Sequence, residues 1–222
     1  MKKKELNIFK GLKNPSFFFY NLSTTEDIKG YWKNIFRLIL LSVFTFGLIA
    51  SFGIGMDPLS KELNNLPATI YELEKFLFFL GRILSGILYS IIILFIPSIL
   101  YWTISEKGEY RKLVIIQGLV LLVLLIEKLT YIPLSLFFSL DWFSSPLSLG
   151  VIAQYITEKS WVIYFLGCFS LFKIWVFYIQ YKGLKKLTEQ KNWLIWLLIL
   201  LTNFFFWAIT ALLAYIDFST LI

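Results

Sequence analysis

Four ionisable side chains lie inside long apolar stretches of this sequence: Arg82, Glu127, Lys128 and Lys173. A charge within a membrane is costly, so such residues face the interior of a helix bundle, where they pair or take part in ion movement. Glu127 therefore has two interpretations: an ion pair that joins two helices, or a proton or ion relay. A single carboxylate is weak support for a relay, and the adjacent Lys128 favours the ionised form of Glu127. We therefore favour the ion pair.

The depth of each charge along its helix predicts which residues pair. At about 1.5 Å per residue, Arg82 lies about 9 Å inside the outer end of its stretch, and Glu127 lies about 10 Å inside the outer end of the next stretch. We therefore expect an Arg82–Glu127 ion pair. Lys173 lies about 18 Å from the outer end of its own stretch, and we expect no acidic residue at its level. Gln117 is expected to join a polar seam between helices.

The sequence lacks the residues that most catalytic and metal sites need. It contains no histidine and a single cysteine, Cys168, which excludes His-based acid–base catalysis, a Ser-His-Asp triad and a Cys- or His-rich metal site. The phosphate-binding loop pattern Gly-x-x-x-x-Gly-Lys-Ser/Thr does not occur either. We therefore expect no enzyme, no metal and no cofactor, and we expect Cys168 to be a small packing residue.

Five apolar stretches are long enough to carry these residues through a membrane. Hydrophobic residues make up 58% of the 222 residues and charged residues 16%, whereas charged residues make up about a quarter of a soluble domain. A membrane span takes about 20 mostly apolar residues in a helix. The stretches that meet this requirement are residues 35–54, 76–102, 113–140, 161–181 and 193–216. The sequence thus predicts an all-α polytopic membrane protein with a bundle of five transmembrane helices.

The basic residues predict how the bundle is oriented. Lys and Arg are enriched in cytoplasmic loops, and here they cluster before the first stretch, between the second and third, and between the fourth and fifth. The other connections carry only Lys61, Lys75 and Lys159. We therefore expect a multi-pass protein of the cell membrane with a cytoplasmic N-terminus and an extracytoplasmic C-terminus. The net charge of +7 is explained by these loops, so we expect no nucleic-acid partner.

Residues 1–34 are predicted to form a cytoplasmic segment ahead of a five-helix domain at residues 35–222. Apolar residues mixed with lysines are followed by four aromatic residues: Phe17, Phe18, Phe19 and Tyr20. This composition is typical of a short interfacial helix with an aromatic anchor on the lipid surface; a docking arm for a partner is the alternative. Ser23 and Glu26 have the spacing of a capping box, which predicts a helix that continues from there into the first span.

Small residues on the second stretch predict close helix contacts. Two pairs lie four residues apart: Gly81 with Ser85, and Gly86 with Ser90. This spacing lets two helix backbones approach each other closely in a membrane. We therefore expect these four residues to lie at helix–helix contacts.

Several segments together resemble the Yip1 family of membrane proteins, in particular its bacterial branch. They are LKNPSFFF at residues 12–19, GEYRKL at 108–113, YIP at 131–133, FLGCFSLFKIW at 165–175 and KGLK at 182–185. The resemblance covers nearly the whole chain and implies five spans, a cytoplasmic N-terminus and no enzymatic activity. Bacterial members look like accessory subunits, one of them associated with an ABC-type efflux complex that protects cells from a toxic peptide. The short N-terminal segment departs from the long tails of eukaryotic members, which weakens any link to small GTPases.

The expected function is therefore that of a non-enzymatic accessory or scaffold subunit. Its expected partners are the lipid bilayer and another membrane protein, such as a transporter permease, or a second copy of the chain. The main alternative is a small secondary transporter or lipid-handling protein that uses Glu127 and Lys173. A structural protein that senses the state of the bilayer through its aromatic N-terminal segment is a third possibility.

Overall fold

A computed structural model describes residues 3–5, 8–56, 67–105 and 109–216 of the chain. Its helices are α1 (Ile8–Lys13), α2 (Pro15–Thr24), α3 (Tyr31–Ser51), α4 (Ala68–Trp102), α5 (Tyr110–Phe138), α6 (Gly150–Ile156), α7 (Ser160–Gly167), α8 (Leu171–Leu187) and α9 (Asn192–Tyr215). A short 3-10 helix spans Trp142–Ser144, and the strands β1 (Lys3–Glu5) and β2 (Asp27–Lys29) form a small parallel sheet. The predictions for Lys2, Lys61, Lys107 and the tail at residues 217–222 lie outside the described residues.

Four of these helices are long and apolar enough to cross a membrane. They are α3, α4, α5 and α9, with 21, 35, 29 and 24 residues. Each exceeds the length of about 20 residues that a bilayer core requires. The chain therefore has the architecture of an all-α polytopic membrane protein.

Helix α5 forms the core of the bundle. In its apolar, membrane-length stretch, 78% of the residues are buried inside the protein, whereas the corresponding shares in α3, α4 and α9 are 28%, 28% and 22%. A helix that is apolar on all sides suits such a central position because every face meets another apolar surface. The other long helices each turn one face to α5 or its neighbours and leave the rest outside.

Two pairs of consecutive helices, α3 with α4 and α8 with α9, run antiparallel. On α3 and α4, the Ser42 hydroxyl donates to the Gly86 carbonyl at 2.7 Å, and further along α3 a Cβ at Gly47 would lie 3.9 Å from the Phe79 ring. Residue numbers rise on one helix as they fall on the other. The same holds for α8 and α9, where ring centroids lie 5.9 Å apart for Phe177–Trp207 and 4.9 Å apart for Tyr181–Trp196.

The fourth predicted span is not one continuous helix. Residues 161–181 are divided between α7 and α8, with a break at residues 168–170. The segment before α7 folds back against this break, where the Leu149 amide donates to the Phe169 carbonyl at 2.9 Å and the Leu171 amide donates to the Leu147 carbonyl at 3.0 Å. These bonds satisfy backbone groups that a helix interruption would otherwise leave unpaired in an apolar interior.

The N-terminal segment is partly built into the bundle rather than laid on the lipid surface. Phe18 and Phe19 are buried in the core, together with Ile8, whereas Phe17 and Tyr20 are exposed. The predicted four-residue anchor is therefore wrong for Phe18 and Phe19. Successive residues of a helix point about 100° apart, so a run of four aromatic side chains on α2 cannot share one face.

The expected helix from Ser23 into the first span is also interrupted. Residues Asp27–Lys29 form β2, which pairs with β1, and α3 begins only at Tyr31. Gly30 separates strand from helix with φ +72°, a left-handed conformation that glycine adopts without steric cost. Strand pairing with a distant segment overrides the local capping signal here.

Candidate functional site

Glu127 is the centre of a buried polar cluster, which we define as Glu127, Lys173, Ser170 and Tyr131. Glu127 lies on the central helix α5, about 16 Å by helical rise from the end of that helix at Phe138. Lys173 and Ser170 come from the beginning of α8 and from the break before it. Tyr131 stands one turn beyond Glu127 on α5, so two elements supply the whole Glu127 cluster.

Three side chains contact the Glu127 carboxylate. The Lys173 ammonium lies 2.6 Å from Oε2, and the Ser170 hydroxyl donates to Oε1. The Tyr131 hydroxyl also donates to Oε1 at 3.3 Å. The side chains of Glu127 and Lys173 are only 5% and 14% exposed, so this is an ion pair shielded from both water and lipid.

The amino end of α8 lies beside the carboxylate. Ser170 occupies the N-cap position of α8 but makes no side-chain cap bond there, because its hydroxyl is directed to Glu127 instead. The beginning of a helix is the positive end of its dipole and attracts a nearby anion. The break between α7 and α8 thus brings a helix terminus, a hydroxyl and an ammonium to one carboxylate.

Lys128 is held beside the cluster by aromatic rings. Its ammonium lies 5.9 Å from the centre of the Tyr89 ring on α4 and 5.7 Å from that of Tyr131. A cation within about 6 Å of a ring centre is attracted to the ring face. This arrangement links α4 to the cluster and gives the second intramembrane lysine a partner that is not a carboxylate.

Arg82 does not form the predicted ion pair with Glu127. It lies in the first half of α4, where its guanidinium donates to the Ile54 carbonyl at 3.4 Å and stands 5.0 Å from the Phe78 ring centre. The expectation that Lys173 has no acidic residue at its level is also wrong, because Lys173 pairs with Glu127. The expected depth of Lys173 requires a straight, unbroken fourth span, and the break at residues 168–170 rules this out.

Gln117 is fully buried on α5, and neither polar atom of its side chain has a hydrogen-bond partner in the described part of the chain. A polar contact between α8 and α9 is made instead by the Asn203 amide, which donates to Gln180 at 2.8 Å. Sequence reasoning missed this pair. It also missed Ser170 and Tyr131, although a serine just after Gly167 and ahead of an apolar run is a recognisable N-cap signal.

The two small-residue pairs on α4 take different positions. Gly86 faces α3, where an added Cβ would lie 3.1 Å from backbone atoms of Ser42 and Val43, and Ser90 is buried. Gly81 and Ser85 are exposed, and a Cβ at Gly81 would meet no atom within 4 Å. One pair therefore packs inside the bundle and the other lies on its surface.

The arrangement can act in two ways. As a clamp, the ion pair fastens the beginning of α8 to the central helix α5. As a relay, Glu127 would exchange a proton or ion while Lys173 and Ser170 reorganise around it. Buried Cys168 borders the same break, and the described residues contain no group of three or more His, Cys, Asp or Glu side chains that could hold a metal ion.

Comparisons of this chain with protein-family models, with curated proteins and with solved structures found no match. The resemblance to the Yip1 family therefore stays a prediction from the sequence. The function has to be argued from the geometry of the helices and of the Glu127 cluster.

Proposed function

We propose that this chain is a non-enzymatic membrane subunit that associates with another membrane protein as an accessory or scaffold component. The observation that carries the proposal is the exposed pair Gly81 and Ser85 on α4. Small residues four apart let a second helix approach closely. Since α4 already uses Gly86 and Ser90 to meet its own bundle, Gly81 and Ser85 are available to a helix from another chain.

The Glu127 cluster supports this proposal because its polar groups are engaged within the chain. Lys173, Ser170 and Tyr131 all contact the same carboxylate. In the scaffold reading the cluster holds α8 against α5. The partner we propose is a transporter permease, in line with the resemblance to bacterial Yip1 members that accompany ABC-type efflux complexes in toxic-peptide resistance.

We further propose five crossings of the cell membrane, with the N-terminus in the cytoplasm and the C-terminus outside. The fourth crossing consists of α7 and α8 together: the 17 residues of α8 give about 26 Å of helical rise, and α7 completes a bilayer core of about 30 Å. The antiparallel contact of α8 with α5 supports it: Lys173 meets Glu127, while Gly183 lies against Ile116. The basic residues of the sequence support the orientation.

Affinity capture at native expression levels tests the subunit proposal. The chain is solubilised in mild detergent, and co-purifying membrane proteins are identified with and without Gly81→Leu. We expect the substitution to abolish recovery of the permease while leaving the bundle folded, since leucine meets open space there and is a better helix former than glycine.

A matched control is Ala214→Leu, which enlarges an exposed small residue on α9. It should leave partner recovery unchanged. Recovery of the wild-type chain alone, without any membrane partner, would contradict the proposal, as would equal loss in the two variants.

A small transporter or lipid-handling protein is the second candidate, and the break in the fourth span favours it. Interrupted helices form ion and substrate sites in many transporters, with helix amino ends facing anionic groups. Proton flux into liposomes that contain the purified chain and an entrapped pH-sensitive dye separates the two candidates. Flux that disappears in Glu127→Gln, with partner recovery intact, would favour the transporter; loss of partner recovery without any wild-type flux would favour the scaffold.

A further inference from the structure

A polar cavity of about 510 Å³ opens at the end of the bundle where α5 and α9 begin and α8 ends. We refer to it as the lysine cavity, because three lysines line it: Lys112, Lys185 and Lys186. Lys112 is buried, and its ammonium lies 3.2 Å from Glu109. The cavity is large enough for a small ligand, since ligand pockets run from about 300 to 1,000 Å³.

The charges around the lysine cavity favour a singly charged anion. Two acidic residues, Glu109 and Glu189, also line the cavity, so the three lysines give its lining an excess of one positive charge. The amino end of α9 adds partial positive charge: Asn192 lines the cavity, and the helix begins without a side-chain cap. A phosphodiester carries one negative charge, and its oxygens accept hydrogen bonds from ammonium and amide groups.

The surroundings of the lysine cavity place it at the level of lipid headgroups. Trp193 and Trp196 are exposed on the first turns of α9. The Lys186 ammonium lies 5.2 Å from the ring centre of Tyr20, which is also exposed. Tryptophan and tyrosine side chains favour the boundary between headgroups and acyl chains. Basic pockets between helices at this level suit anionic lipid headgroups.

We propose that the lysine cavity binds the phosphodiester of an anionic phospholipid such as phosphatidylglycerol. Lys112, Lys185 and Lys186 contact the phosphate from α5 and α8, and the beginning of α9 closes the site. Glu109 and Glu189 accept hydrogen bonds from the hydroxyl groups of a glycerol headgroup. The site is independent of the proposed subunit role, because it lies on other elements than the exposed face of α4.

Native mass spectrometry of the full chain in detergent tests the proposal, with phosphatidylglycerol or phosphatidylcholine added in increasing amounts. We expect phosphatidylglycerol adducts at concentrations where phosphatidylcholine gives none. The double variant Lys185→Gln/Lys186→Gln should bind phosphatidylglycerol about thirtyfold more weakly, the loss expected for two lysines near an anionic lipid.

The matched control is Lys33→Gln/Lys182→Gln, which removes two exposed lysines that do not line the cavity. It should retain the wild-type affinity. Competition by inorganic phosphate distinguishes the sources: displacement of bound lipid supports the site, and phosphate adducts without any preference for phosphatidylglycerol would assign it to a soluble phosphate. Equal binding of the two lipids without phosphate adducts, or equal loss in both double variants, would overturn the proposal.

Discussion

At the scale of single residues, Glu127 and Lys173 dominate the interior of this protein. Their charged atoms lie 2.6 Å apart, and both side chains are shielded. A buried pair contributes little relative to a well-packed apolar pair, but removal of one partner leaves an isolated charge that is costly. The two residues are therefore expected to depend strongly on each other.

A double-mutant cycle measures this dependence. Glu127→Gln alone should lower the free energy of unfolding in detergent by about 3–5 kcal/mol, because Lys173 keeps its charge without a carboxylate. The double variant Glu127→Gln/Lys173→Met should recover most of this loss. Thermal unfolding followed by tryptophan fluorescence provides the measurement.

A double-mutant cycle with Arg82→Met in place of Lys173→Met is the control. It tests the Arg82–Glu127 pair expected from the sequence against the Lys173–Glu127 pair of the structure. Arg82 contacts Ile54 and Phe78 instead of Glu127, so Arg82→Met and Glu127→Gln should have additive effects. A strong coupling between Arg82 and Glu127, or additivity between Glu127 and Lys173, would show that the pairing described here is wrong.

At the scale of the elements, glycine positions decide which helix faces meet. Gly86 brings the backbones of α3 and α4 together, with the Ser42 hydroxyl bonded to its carbonyl at 2.7 Å. Gly81, on the same helix, faces outward. The pattern of small residues in the sequence indicated all four positions on α4, but it could not tell an internal contact from an external one, because that depends on where α3 lies.

The same substitution at both glycines therefore has opposite expected effects. Gly86→Ala places a Cβ 3.1 Å from backbone atoms of α3 and should destabilise the bundle by about 1–3 kcal/mol, the usual cost of overpacking. Gly81→Ala should be neutral or stabilise by up to about 1 kcal/mol, because alanine is the better helix former. Melting temperatures of the two variants in one detergent check this, and similar destabilisation by both would contradict the assigned faces.

At the scale of the whole molecule, the break between α7 and α8 determines how the chain is threaded. Neither helix alone reaches the length of a membrane span, yet the contacts of α8 with α5 and α9 are antiparallel. In the proposed topology, α7 and α8 cross together, so the connections on either side of them face opposite compartments.

Cysteine labelling in intact cells tests this threading. In a Cys168→Ala background, Tyr155→Cys on α6 and Lys191→Cys before α9 both present exposed positions. A membrane-impermeant maleimide should label Tyr155→Cys directly and Lys191→Cys only after permeabilisation. Labelling of both from the same side would mean that α7 and α8 do not cross the membrane, and a reporter after Ile222 found in the cytoplasm would contradict the orientation.

The amino-acid sequence by itself determined that long apolar helices form this protein, and it placed α3, α5 and α9 within a few residues of their bounds, whereas α4 begins at Ala68, well before the predicted start at residue 76. Such helices follow from local composition, since the bilayer requires each segment to bond its own backbone. Only the tertiary structure decided that Lys173, and not Arg82, pairs with Glu127, and that Phe18 and Phe19 enter the core. These outcomes depend on helix order and on a break whose backbone groups are satisfied by a distant segment, and neither can be read from hydropathy or from depth along a straight helix.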